Sequence, residues 1–294
     1  MHIGICYTKN GPNGIACCEA FSTGVHYYGD GFIPFLKFNK KEAFECDVMM
    51  MVCGPPTEIH PKNFNFQVKQ YCAQTNTPLV IIDTGFVQPD FISDNANDRY
   101  MSVGLNNIKG GGFYGNINSP SDRWDKLKIE LKPWRTEGSH VLVIGQGVQN
   151  KLNHQQIWVH NWFNEILDNL PQYTKRPIRF RPHPLWLKNK GLKPERTLEE
   201  DLKDAWCVMG LTSSGIVDGI IRGIPGITWS TWNIAFSVSE HFLENIENPK
   251  MPDRLQWCYN LAYAQWSVKE IGEGLSWEHL KSHIEKFLKY GKIM

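Results

Sequence analysis

The chain has 294 residues, a formal net charge of +1 and 41% hydrophobic residues. This length suits two ordinary domains with ample core, and the near-neutral total excludes whole-molecule steering toward nucleic acid while leaving room for a local basic groove. Eight cysteines are irregularly spaced with no C-x-x-C pair, which argues against structural zinc and for buried, reduced thiols.

The start, MHIGICYTKN, is too short and too soon polar for a signal peptide, and no apolar run reaches membrane length, so a cytoplasmic protein is expected. His2–Tyr7 reads as a first strand, followed by the turn-rich KNGPNG loop and a helix from Ile15 to Tyr28. That is the opening of a βαβ unit, without the GxGxxG dinucleotide fingerprint. Strands are expected at Phe32–Phe38, Val48–Cys53 and Pro78–Asp83, with a helix at Phe64–Gln74. Alternating strands and helices imply a parallel sheet.

Residues 86–138 break the rhythm and read as a long loop, with Asn106, Asn107 and a run of three glycines at its centre. A loop of that length suits a substrate-facing lid. The βα rhythm restarts at His140, with HVLVI running into Gly145-Gln146-Gly147, a helix over Gln155–Leu170, and a strand ending in Arg181-Pro182-His183-Pro184. A helix at Leu198–Ala205 follows Thr197, and a helical tail runs from Asp253 to Tyr290 with a break near Gly272–Ser276. The eleven tryptophans are taken first as core.

Cys207–Ser230 is a complete strand–loop–helix–loop–strand phrase. Thr212, Ser213 and Ser214 are N-cap residue types, the isoleucines recur at helical spacing, and Gly223 with Pro225 closes the helix. In parallel α/β sheets ligands bind beyond the carboxyl ends of the strands. Three such ends carry Gly145-Gln146, Arg181 with His183, and Thr212 to Ser214. Arginine grips phosphate through paired hydrogen bonds, histidine donates one, and a hydroxyl-rich helix start adds more, so a diphosphate site is expected there.

Two α/β halves with Gly145-Gln146, Arg181-Pro182-His183-Pro184, Ser213-Ser214, Asp218 and Gly223-Ile224-Pro225 resemble the GT-B class of nucleotide-sugar glycosyltransferases. The likeness is to capsule-polysaccharide-type transferases and related phage-encoded transferases, over roughly residues 80–280. One departure is Asp218, where that group often has Glu or Ala. The resemblance implies two Rossmann-like parallel-sheet domains facing across a cleft, with a helical C-terminal tail. On that reading residues 1–135 are acceptor-side, 136–250 bind a nucleotide sugar (UDP-sugar first), and 251–294 pack back across both. It implies a donor site of Gly145, Gln146, Arg181, His183, Thr212, Ser213, Ser214 and Asp218. It also implies no bound cofactor, no required metal and a base from the first domain.

Asp83, at a strand end beside Thr84-Gly85, is the first choice as base, ahead of Glu19, His26 and Asp30. The acceptor side is assigned Asn10, Asn13, Gly14, Asn106, Asn107, Arg123 and Arg135. A hydroxymethylated pyrimidine in phage DNA, such as hydroxymethylcytosine, is the leading acceptor, its backbone tracked by basic residues at 109, 123, 126, 128, 132 and 135. A capsule or lipopolysaccharide glycan is the alternative acceptor. A sugar-nucleotide-binding protein or a UDP-sugar epimerase on the same fold is the other reading.

Overall fold

The run Val48-Met49-Met50-Met51-Val52 is buried at every position, and a strand apolar on both faces belongs inside a covered sheet. The computed structural model describes residues 1–7, 14–52, 63–88, 95–146, 151–152 and 157–291. They divide into two units. The first comprises residues 1–108, 112–129 and 258–294, and the second comprises 109–111 and 130–257.

In the first unit β1 (His2–Cys6), β2 (Gly31–Phe35), β3 (Val48–Val52), β4 (Leu79–Thr84) and β5 (Tyr100–Leu105) share a sheet with the late strand Gln265–Ser267. β1 pairs in parallel with β2 and β3, and β3 with β4. β5 is antiparallel to β4, and Gln265–Ser267 is antiparallel to β5. Side chains alternate across the sheet with the strand period of two. Ile3, Ile5 and Met50 pack with helix Gly14–Tyr27 and with Trp277, Leu280 and Ile284 of helix Leu275–Tyr290. Cys6, Met49, Met51 and Ile81 pack on the other face with Val68, Tyr71 and Cys72 of helix Phe64–Thr75.

The second unit holds β6 (His140–Ile144), a two-residue ladder of β7 (Lys151–Leu152) and β8 (Ile157–Trp158), then β9 (Ile178–Arg181), β10 (Ala205–Met209) and β11 (Gly226–Ile227). The order is β11-β10-β6-β9, all parallel. Counting strands within each sheet, the six-stranded sheet begins second-first-third-fourth and the four-stranded sheet is second-first-third-fourth, the doubly wound arrangement. Val141, Val143, Cys207 and Met209 meet Phe163, Ile166 and Leu170 beneath it.

Three expectations change. The stretch 86–138 is not one loop, because Tyr100–Leu105 is a fully buried strand and Asp122–Leu127 a helix. Buried Gln265 secures the turn after β4, accepting from the Phe86 and Val87 N–H groups at 2.8 and 2.9 Å and donating to Val87 O. The tail is not wholly helical, since Gln265–Ser267 adds a strand between helices Leu255–Tyr263 and Val268–Gly272. From Cys258 onward it belongs to the first unit, and the second unit begins at Glu130. The helix break does fall at Gly274, with φ of 81°. The seven described cysteines are buried.

Candidate functional site

In the second unit the chain leaves β6 in one direction to β9 and in the other to β10, so strand order reverses between β6 and β10. The crevice outside the carboxyl ends at such a reversal is where open α/β sheets hold ligands. Gly145 follows β6 and donates its N–H to Arg181 O at 2.8 Å. A Cβ there would stand 3.0 Å from His183 N and 3.1 Å from Arg181 O, so this close approach suits glycine. Gln146, 4% exposed, donates from Nε2 to Thr212 Oγ1 at 2.9 Å. That single bond bridges the ends of β6 and β10.

The loop after β10 is fixed from below. Leu211 O accepts from Thr228 Oγ1 at 3.0 Å and from Asn233 Nδ2 at 2.8 Å. The turn Lys109–Gly111 belongs to this unit. Gly110 donates to Trp232 O at 2.9 Å. A Cβ on Gly110 would lie 2.5 Å from Thr231 O, and one on Gly111 2.6 Å from the Trp232 ring. The glycines therefore let the turn lie flat on residues 231–233. Lys109 is thereby delivered to Thr212, with Nζ 3.1 Å from its carbonyl and 3.4 Å from Oγ1. Half-buried His183 has its pKa held below the usual histidine value by burial first, then by the positive charges of Lys109 and Arg181.

The structure thus brings together Gly145, Gln146, His183 and Thr212, and adds Lys109, which sequence reasoning assigned to a nucleic-acid backbone. Only the adjacent glycine run hinted that residue 109 sits against another segment. Arg181 has a different job. The residue is 9% exposed, and its guanidinium reaches Asp201 Oδ2 at 2.6 Å and Arg196 O at 2.8 Å, because a buried guanidinium requires a counter-charge. Ser213 Oγ accepts from Gly215 N at 3.3 Å, while exposed Ser214 makes no side-chain cap bond. Helix Gly215–Ile221 is only seven residues long. Its Asp218 is pushed up to about 6 by burial, opposed by Arg222 at 3.8 Å.

On the acceptor side Gly14 is buried at the start of helix Gly14–Tyr27, whereas Asn10 and Asn13 lie outside the described residues. Asn106 is a structural joint, its Oδ1 accepting from Leu79 N at 3.0 Å and its φ at 63°. Asn107 Oδ1 caps Ile108 N at 3.3 Å. Arg123 is an internal strut on Glu270. Arg135 belongs to the second unit and donates to Leu202 O at 3.2 Å and Ala205 O at 2.7 Å. Asp83 stands half-buried at the end of β4, paired with Ser102 across β5. Glu19 and His26 are exposed on their helix. Asp30 is held by the N-terminal amine at 2.6 Å, Lys281 at 2.7 Å and Trp277 at 2.9 Å, and so anchors the first unit instead of facing a substrate.

These features define a class by fold: a chain of two Rossmann-like α/β units, the second with a strand-order reversal between β6 and β10. Two solved structures carry the likeness further. The chain is similar to the β-Kdo 2,4 transferase of Thermosulfurimonas dismutans KpsC, at 13% identity and a TM-score of 0.55 over 90% of each chain. It is also similar to the β-Kdo 2,7 transferase of the same KpsC, at 16% identity and a TM-score of 0.50 over 95% of this chain and 100% of that one. No family model and no curated protein matches the sequence.

Proposed function

We propose that the protein is a glycosyltransferase of the capsule-polysaccharide type, which holds a nucleotide-activated sugar on its second unit and passes the sugar to a glycan hydroxyl. The observation that carries this reading is the Gln146–Thr212 bridge at the strand-order reversal, with His183 and Lys109 beside it. The fold shared with the two Kdo transferases supports it. The acceptor oxygen attacks the anomeric carbon, the bond from that carbon to the phosphate oxygen breaks, and the leaving phosphate takes the negative charge. A neutral His183 N–H and the Lys109 ammonium stabilise that charge without a metal in the step. Asp83 takes the acceptor proton in this reading.

A hydroxymethylated pyrimidine acceptor draws nothing from the fold likeness. Of the six basic residues offered to its phosphates, Arg123 is buried against Glu270 and Arg135 is held by backbone carbonyls of its own unit. A mass-spectrometric transfer assay tests the reading, with a panel of nucleotide sugars that includes UDP-sugars. Oligosaccharides and hydroxymethylcytosine DNA serve as competing acceptors. A glycan heavier by one sugar is expected, lost in Asp83→Asn with nucleotide binding retained. A heavier nucleoside would replace the glycan with DNA.

A further inference from the structure

We infer that Asn65 binds a neutral hydroxyl of the acceptor beside Asp83, at the carboxyl ends of β3 and β4 in the first unit. This rests on the glycosyltransferase reading above and deepens it, since it names the chemistry by which the acceptor is held.

The first unit has its own strand-order reversal. β2 lies on one side of β1 and β3 on the other, and the carboxyl ends of strands at such a reversal are where open α/β sheets hold ligands. Helix Phe64–Thr75 starts at the end of β3, where Asn65 Nδ2 donates to Val52 O at 3.2 Å. Asn65 is 5% exposed, and with Val68 and Cys72 it forms the stripe buried against the sheet. The helix cap is Asn63, whose Oδ1 accepts from Phe66 N at 3.1 Å. A carbonyl can only accept, so the Asn65 amide nitrogen faces Val52 and Oδ1 is turned away from it. Oδ1 meets no donor among the described residues. A buried oxygen left without a donor is destabilising. Capping Val52 accounts for the nitrogen and leaves the oxygen for a ligand.

Two properties fix the class of that ligand. The oxygen requires an N–H or O–H, which ionised carboxylates and phosphodiesters lack. Asn65 also sits in the first turn of a twelve-residue helix, whose positive end disfavours an ammonium group. A neutral hydroxyl satisfies both conditions, and glycans are rich in hydroxyls.

The same face of the sheet carries Asp83. Leu79 and Ile81 pack with Val68, Tyr71 and Cys72 of helix Phe64–Thr75. Alternate residues of a strand share a face, so Asp83 continues that row to the end of β4. Val52 lies opposite Ile82 in the β3–β4 register, and paired strands run about 4.8 Å apart. Asn65 and Asp83 therefore stand at neighbouring strand ends. A sugar ring carries several hydroxyls, one for Asn65 to hold while Asp83 takes the proton of another.

The test adds maltose, lactose and chitobiose, and separately inorganic phosphate, to the isotope-labelled full chain. At least one sugar should shift the Asn65 side-chain amide in NMR spectra, and phosphate should not. The sugar that shifts it then serves as acceptor in the transfer assay. Asn65→Ala should raise the KM for that acceptor about tenfold, with the KM for the nucleotide sugar unchanged. Asn65→Asp keeps an oxygen but loses the N–H toward Val52. It should recover part of the acceptor KM if Oδ1 binds the hydroxyl, and none if the residue only caps β3. An amide unshifted by all three sugars or shifted equally by phosphate, an unchanged acceptor KM in Asn65→Ala, or no recovery in Asn65→Asp overturns the inference and leaves Oδ1 to a buried water. In each of these cases nucleotide-sugar binding by the second unit stands by itself. A wild-type chain that binds no nucleotide sugar and transfers nothing removes the glycosyltransferase reading and this inference with it.

Discussion

Arg123 grips both carboxylate oxygens of Glu270, with Nη1 to Oε1 at 3.2 Å and Nη2 to Oε2 at 3.1 Å. The guanidinium carbon also lies 3.8 Å from the centroid of the Trp266 ring. Arg123 further donates to Gln265 O at 2.9 Å and Ala262 O at 3.2 Å. One side chain therefore ties helix Asp122–Leu127 to the last strand of the first sheet. Arg123→Met leaves Glu270 buried without its main partner, and a loss of about 3–5 kcal/mol is expected in urea unfolding. The double variant Arg123→Met/Glu270→Met should lose less than the single one, because no uncompensated charge remains.

Glu270 also predicts an acid limb. Burial pushes its carboxyl up, but Arg123, the Ser267 N–H and Lys126 outweigh that and bring it from 4.5 to about 2. A depressed carboxylate contributes stability that is complete above 4.5 and is lost as pH falls toward about 2. The gap corresponds to about 3 kcal/mol. Unfolding free energy measured across that window should fall steeply, with a shallower slope in Glu270→Gln.

His279 and His283 predict a milder limb at higher pH. Both have pKa values lowered, chiefly by burial. His279 donates to Tyr114 O at 2.8 Å and faces Tyr263, Trp266, His283 and the Arg123 charge. His283 faces Phe113 and the Lys286 charge. The folded chain holds fewer protons on them than the unfolded chain does, so their stability is complete above 6.5 and declines as pH drops below it. Melting temperature should fall between pH 7.5 and 5.5, and less so in His279→Gln/His283→Gln.

Gly110→Ala places a methyl 2.5 Å from Thr231 O, and Gly111→Ala places one 2.6 Å from the Trp232 ring. Neither backbone oxygen nor indole yields cheaply, so each should cost about 1–3 kcal/mol. If the turn positions Lys109, each should also weaken nucleotide binding at a temperature where the variant remains folded.

Arg181→Met separates two roles. It leaves buried Asp201 with Arg179 at 3.6 Å and Arg196 at 3.8 Å only. The expected outcome is a lower melting temperature, with a smaller change in nucleotide affinity than in Lys109→Met. The reverse ordering in a calorimetric comparison would return Arg181 to the phosphate.

Much of the frame was written locally. The buried runs VMMMV and, after His140, VLVI form strands because each of these positions is apolar. Thr197 and Glu200 close a capping box within four residues of chain. Gly274 breaks the tail with a left-handed backbone. Gly145, Gln146, His183 and Thr212 could be grouped in advance because strand ends of a parallel sheet gather whatever follows them. Each of these features depends on neighbours in sequence or on a rule of topology.

Other features depend on partners that no local pattern names. Tyr100–Leu105 became a buried strand because β4 lies on one side of it and Gln265–Ser267 on the other, the latter more than 150 residues further along the chain. Arg181 and Asp201, or Arg123 and Glu270, are ordinary surface residue types until the fold removes their water and makes each a counter-charge of the other. Lys109 reads as one more surface cation until the turn on Trp232 sets it beside Thr212. The sequence alone decided the apolar core strands, the helix caps and which strand ends could face a ligand. The tertiary structure decided which charges neutralise one another inside and which side chains gather at the β6 and β10 strand ends, because that choice depends on burial and distance between segments far apart in the chain.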